Sequence, residues 1–270
     1  MPHLRGHSGT NWYYEMEGEG ETLLFFHGWG VDHRIWRQQL KHFSSLYRVI
    51  SFDLPGHGRS TWFNIPLTDM VKDLLGFFHY MKIDRFSIVG SSLGGLFALK
   101  IYELAPEKID RLIFVGSMPK FAKSPDYPFG LDVPRMRKLG GQLQDSYPVI
   151  VDVFFRSLFT KQERQSRRFR WLQRFRQNEN MPMKPALAEY LNILEAEDLR
   201  HVLTNVKIPM QFINGTEDEI CCRDTVIYLQ RTVPQARFDF FDECGHFPFL
   251  SKPHEFNQTL TSFLEESKQK

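Results

Sequence analysis

The sequence predicts an α/β fold: a mostly parallel sheet with helices on both faces and an inserted helical cap. Three observations predict it. Short apolar runs alternate with helical patterns up to about residue 117 and again from 208 onward, the order expected of parallel strands joined by crossover helices. Several runs are continuously apolar, such as TLLFF at 22–26, which marks strands buried on both faces. The alternation stops between these two stretches, where the chain is rich in Arg, Pro and Phe. Residues 1–119 and 206–270 are therefore expected to form one core, and 120–205 a cap over it.

Taken in order, residues 11–15 read as a short strand and 17–21 (EGEGE) as its turn. Residues 22–27 form a buried strand. A helix over 32–43 follows, with Asp32 as N-cap, then a strand over 47–53 (YRVISFD). Residues 68–81 read as a helix capped by Thr68. A strand over 85–91 (RFSIVGS) runs into a helix over 93–104, and 111–117 (RLIFVGS) is another strand. Within the insertion, 148–159 and 163–176 look helical. The core resumes with a strand at 209–214, a helix at 224–232, a strand at 237–241 and a helix at 254–265.

A chain of 270 residues, 42% hydrophobic and 24% charged, fits one globular domain carrying an insertion. Most of its 25 Phe residues belong in a core, and some suit the wall of an apolar pocket. No apolar run approaches about 18 residues, so no membrane span is expected. The polar first ten residues lack a signal segment, which points to the cytoplasm. His3 and His7 are assigned to a mobile tail. Cys221, Cys222 and Cys244 suggest no disulfide framework, and Cys221–Cys222 lacks metal-ligand spacing; no metal or cofactor is implied. The net charge of +2 conceals an asymmetry: residues 120–178 hold 13 Lys/Arg against 5 Asp/Glu, or +8, leaving −6 elsewhere.

The chemistry centres on Gly90-Ser91-Ser92-Leu93-Gly94. This G-x-S-x-G lies between an apolar strand and a helix, where a tight turn exposes a serine at the carboxyl edge of a sheet. Ser92 is the candidate nucleophile; Ser91 has Val89 and Leu93 two residues away where the motif needs glycines. A serine hydroxyl needs a base. His246, in CGHFPF just after the last strand, is placed to supply it. Its partner acid is expected after the preceding strand, in Asn214-Gly215-Thr216-Glu217-Asp218-Glu219, where Asp218 has the G-x-x-D spacing. Glu217 and Glu219 are read as solvated neighbours. An oxyanion hole needs backbone N–H groups, expected from Leu93 and from Trp29 in the glycine-bordered His27-Gly28-Trp29-Gly30. His27 is read as bracing this loop, and Asp53–Ser60 (DLPGHGRS) as a framing turn with a structural His57.

The set HGWG, DLPGHGRS, GSSLGG, GTED and GHFPF resembles the α/β-hydrolase superfamily over almost the entire chain. A closer resemblance is to the pimeloyl-[acyl-carrier-protein] methyl ester esterases of biotin synthesis, through HGWG, LPGHGRS, the Gln142–Asp145 stretch and the Leu199-Arg200 region. This resemblance implies a Ser92–His246–Asp218 triad, backbone donors at Trp29 and Leu93, and Phe154 lining an acyl channel. It implies an acidic acyl carrier protein as partner, attracted by the basic cap. Arg156, Arg164, Arg167, Arg168, Arg170 and Arg174 are candidates for that docking; Arg164, Arg167 and Arg168 have i, i+3, i+4 spacing, which would place them on one helix face. The same basic helix, with Trp171 and Phe175, also suits an anionic membrane surface. No nucleic-acid module is recognised. A general short-chain carboxylesterase, a C–C bond hydrolase or perhydrolase, and a ligand receptor on a hydrolase scaffold remain alternatives, and oligomeric state is left open.

Overall fold

β3 (Thr22–Phe26) is buried along its whole length because both faces of the sheet are covered. Its successive side chains point to opposite faces. Phe25 packs on Trp36 and on Phe43 of α1 (Arg37–Phe43), whereas Phe26 stacks on Phe52 and on Phe97 of α3 (Leu93–Leu104). The computed structural model describes residues 3–177 and 181–267.

Among these residues eight strands form one sheet in the order β1-β2-β4-β3-β5-β6-β7-β8. They are β1 (His3–Arg5), β2 (Asn11–Glu17), β3, β4 (Arg48–Phe52), β5 (Phe86–Ser91), β6 (Ile109–Val115), β7 (Met210–Gly215) and β8 (Arg237–Phe241). β1 and β2 pair antiparallel, β2 runs antiparallel to β4, and the others are parallel. The core helices are α1, α2 (Leu67–Tyr80), α3, α10 (Arg223–Thr232), α11 (Pro248–Ser251) and α12 (Pro253–Glu266). Between β6 and β7 lie α4 (Val133–Ser146), α5 (Val149–Ser157), α6 (Lys161–Gln165), α7 (Arg167–Gln177), α8 (Lys184–Ala196) and α9 (Arg200–Thr204). No helix of the described residues is long and apolar enough to cross a membrane.

The structure changes three local expectations. The N-terminal segment is not a loose tail: β1 pairs with β2, and the turn after it is tied to α2, where Asp73 Oδ1 accepts from the Ser8 N–H at 3.0 Å. Asp73 also accepts from the Ser8 hydroxyl and from the Trp12 indole. Buried polar atoms need such partners, so a carboxylate on α2 fixes a segment 65 residues earlier. Thr68 is not the cap of α2; the helix begins after extended Pro66, with no side-chain cap. The helix expected over 163–176 is two helices. Ser166 between them is extended (ψ 153°), and its Oγ accepts from Phe169 N at 3.0 Å, the geometry of a new helix start.

Candidate active site

The parallel strands all present their carboxyl ends on one edge of the sheet, where the loops carrying the candidate residues emerge. Ser92 sits between β5 and α3 with φ 53°, ψ −118°, a conformation that costs an ordinary L-residue about 1–3 kcal/mol. The neighbours make it possible. A Cβ on Gly90 would lie 2.5 Å from the Gly94 carbonyl oxygen, and one on Gly94 would lie 2.4 Å from that of Phe26. Only hydrogen at both positions lets strand, turn and helix close this tightly. The turn is pinned by Ser92 N donating to Val115 O at 3.0 Å and the Ser117 hydroxyl donating to Ser92 O at 2.7 Å. Ser91, by contrast, is fully buried.

His246 follows β8 on the loop before α11. Its Nδ1 lies 2.8 Å from Asp218 Oδ2, and both side chains are almost completely removed from solvent. The other oxygen, Oδ1, accepts from Ile220 N at 2.8 Å and Cys221 N at 3.1 Å. Those two N–H groups orient the carboxylate, and the carboxylate orients the imidazole with Nδ1 protonated, leaving Nε2 as the basic atom. Glu217 and Glu219 are exposed on either side of Asp218.

Ser92 and His246 line one cavity of about 340 Å³, together with Gly28, Trp29 and Phe154. A Cβ on Gly28 would lie 3.1 Å from that of Ser92, so the loop after β3 passes directly over the serine. Trp29 is anchored by its indole, which donates to Leu187 O of α8 at 2.9 Å, and Phe154 of α5 meets it edge-on at 4.9 Å. The Leu93 side chain is buried in the core, and its N–H belongs to the first turn of α3, where intrahelical acceptors are lacking. The arrangement can perform nucleophilic acyl transfer: a half-buried serine lining the cavity on a strained elbow, an oriented imidazole and a buried carboxylate, beside backbone N–H groups.

Two buried histidines hold the loop after β3. His27 Nε2 accepts from Leu54 N at 2.9 Å, so its Nδ1–H donates to Gly28 O at 2.8 Å. His57 Nε2 accepts from Gly30 N at 3.2 Å. Burial lowers both pKa values, that of His57 to about 3, and keeps these rings neutral braces. His33 differs. Burial opposes its charging, but hydrogen bonds to Asp53 and Glu15 overcome this and raise its pKa to about 9. Asp32, His33 and Asp53 are the one group among the described residues with metal-like spacing. Both imidazole nitrogens of His33 are engaged by carboxylates, so the imidazolium supplies the positive charge there.

A profile described as the alpha/beta hydrolase fold matches residues 21–253. The chain belongs to the α/β-hydrolase fold family. It is 31% identical over 244 residues to a pimeloyl-[acyl-carrier protein] methyl ester esterase of Nitrosomonas europaea, covering 90% of this chain and 96% of that one. It is 30% identical over 257 residues to the protein of the same name from Pectobacterium atrosepticum, covering 94% and 98%. An esterase from Exiguobacterium antarcticum shares the fold with a TM-score of 0.87 at 23% identity, covering 97% and 98%. This α/β-hydrolase is a carboxylic ester hydrolase.

The candidate docking arginines are not brought together as expected, because the break at Ser166 puts Arg164 on α6 and Arg167 and Arg168 on α7. Arg164 turns inward, donating to the carbonyls of Arg156 and Phe159 at 3.1 and 2.9 Å. Arg168 donates to Leu250 O, and burial lowers its pKa. Arg156, Arg167 and Arg170 are exposed; the side chain of Arg174 lies outside the described residues. α4 is a helix the sequence pattern did not lead us to expect. Its Arg135, Lys138 and Gln142, at i, i+3 and i+7, are exposed and line the cavity. The signal was present in Asp132, Pro134 and the periodic Met136, Leu139 and Leu143.

Proposed function

We propose that this ester hydrolase cleaves the methyl ester of a pimeloyl chain carried on acyl carrier protein, releasing methanol, in the cytoplasm. The observation that carries the reading is the cavity itself. Ser92 and His246 share it with apolar walls from Phe121, Ile150, Phe154 and Leu194, while Arg135 and Lys138 stand exposed at its edge. About 340 Å³ lies at the small end of ligand pockets. It suits a short acyl chain with a polar or anionic continuation outside.

In this reading Ser92 Oγ attacks the ester carbonyl while His246 Nε2 takes its proton. Asp218 stabilises the imidazolium without accepting the proton. The N–H groups of Trp29 and Leu93 hold the oxyanion. His246 protonates the departing methoxide, methanol leaves, and a water activated by the same base releases the acid from Ser92. Residues 120–205 act as a cap that walls the cavity. The exposed Arg156, Arg167 and Arg170 present positive charge to an acidic carrier.

The test is to offer the methyl ester on its carrier and as a free thioester analogue, and compare kcat/KM. The carrier-bound ester should be preferred by about tenfold or more at low salt, through electrostatically assisted association. Equal values would favour a general carboxylesterase. Binding without turnover of either would favour a receptor.

A further inference from the structure

The loop that presents His246 is gripped by the inserted helices as well as by the core. On the core side, Glu217 N donates to Cys244 O at 2.9 Å. On the other side, His246 N donates to Leu158 O at 2.8 Å, and Gly245 N donates to the Glu163 carboxylate at 3.2 Å from each oxygen. The Cys244 thiol donates to the same carboxylate at 3.2 Å. Two successive peptide N–H groups of the loop thus end on residues 158 and 163. The approach is close enough to require glycine: a Cβ on Gly245 would lie 2.5 Å from Leu158 O and 3.0 Å from Glu163 Oε2.

We propose that Glu163 is a positioning residue for His246: it reaches from α6 to fix the backbone of the loop that aims the imidazole at Ser92. The inference rests on the reading of His246 as the base. Glu163 also closes α6, since its Oε2 accepts from Thr160 N at 2.6 Å while its own N–H donates to Thr160 Oγ at 3.1 Å. A helix cap alone leaves the bonds to Cys244 and Gly245 unaccounted for. The half-buried carboxylate spans two segments 82 residues apart. It does so beside a histidine whose ring is bonded to Asp218 at 2.8 Å and packs on Phe247.

Glu163→Gln separates the two roles. An amide has one acceptor oxygen. Placed at the Oε2 position it keeps the bonds from Thr160 N and Gly245 N, while its NH₂ takes the Oε1 position against the Cys244 thiol and Gly245 N, so the cap survives and the charge-assisted grip on the loop is weakened. On a short soluble p-nitrophenyl ester, the full-length variant should lose roughly tenfold to a hundredfold in kcat with KM near the wild-type value, the signature of a misplaced base. Thr160→Ala removes the cap hydroxyl but leaves the carboxylate on Gly245, and should keep its kcat. Wild-type kcat in Glu163→Gln, or equal losses of kcat and Tm in both variants, overturns the proposal. If Glu163→Gln does not fold, Glu163→Asp carries the test: it keeps the charge but is one methylene too short. It should show the same split of kcat from KM, and a folded Asp variant with wild-type kcat overturns the proposal. Ser92→Ala assayed alongside keeps the two levels apart. Turnover there removes the acyl-serine mechanism and this inference together, whereas an inactive Ser92→Ala with an unaffected Glu163→Gln removes only the inference.

Discussion

Replacing Asp218 by Asn changes one atom and should trap His246 in the wrong tautomer. Asp218 Oδ1 accepts from two backbone N–H groups, of Ile220 at 2.8 Å and Cys221 at 3.1 Å, while Oδ2 faces His246 Nδ1 at 2.8 Å. An asparagine placed here keeps its carbonyl toward the two N–H groups, because the opposite orientation would bury an NH₂ against two donors. Its NH₂ then donates to Nδ1, which forces the proton of the neutral ring onto Nε2. Such a ring cannot accept the serine proton. With both side chains buried, solvent does not compete with the NH₂–Nδ1 bond, which holds the ring in that tautomer. A trapped tautomer of this kind lowers kcat by about 10³- to 10⁴-fold, or about 4–5.5 kcal/mol of barrier. KM and Tm should change little, since the bonds to Ile220 and Cys221 survive. Steady-state hydrolysis of p-nitrophenyl butyrate measures this directly, with Glu217→Gln, exposed and outside the cavity lining, as the control. A kcat within about tenfold of wild type, or equal damage from Glu217→Gln, would refute the reasoning.

Reversing the exposed Arg167 and Arg170 to Glu should raise KM for the carrier-bound ester and leave a small ester unaffected. Salt should mimic this as the Debye length falls from about 10 Å at 0.1 M to about 3 Å at 1 M; equal loss on both esters would instead indicate damage to the insertion. Arg168→Glu should lower Tm, because it puts a carboxylate among carbonyl acceptors in a half-buried site beside Leu250; an unchanged Tm would contradict that placement. Stability should be greatest near pH 6.5 and fall on both sides. His57, held at about 3 when folded against about 6.5 unfolded, is present neutral above 6.5 and loses its contribution as pH drops toward 3. His33, held at about 9, contributes fully below 6.5 and loses that contribution as pH rises through 9. Tm measured across this range checks both signs, and His57→Gln should flatten the acid limb.

The parallel core was legible because β3, β5, β6 and β7 are short apolar runs, and burial on both faces leaves no other pattern open to them. The place of Ser92 at a strand–helix elbow was legible because the elbow needs glycine at fixed offsets, and the meeting of Asp218 with His246 because loops after known strands lie on one edge of the sheet; their catalytic roles belong to the proposal. What escaped depends on contacts distant in sequence. Asp73 tying down Ser8 and Trp12 leaves no local mark on the polar residues 3–10. α4 buries only Met136 and Leu143, so its stripe is faint and its cavity-facing Arg135 and Lys138 read as solvated charges. The break at Ser166 was hidden because arginines on both sides favour helix, while the serine's preference for a cap decided the outcome. Glu163 was read as part of a continuous helix, and nothing around residue 163 announces a partner at Gly245.

In the proposed mechanism Ser92 carries the acyl group. The most direct test follows methanol release from pimeloyl methyl ester on its carrier protein, using wild type and Ser92→Ala at matched circular dichroism and Tm. Wild type should release methanol continuously, and Ser92→Ala none above background. Release at near wild-type rate by the folded Ser92→Ala protein would contradict that mechanism.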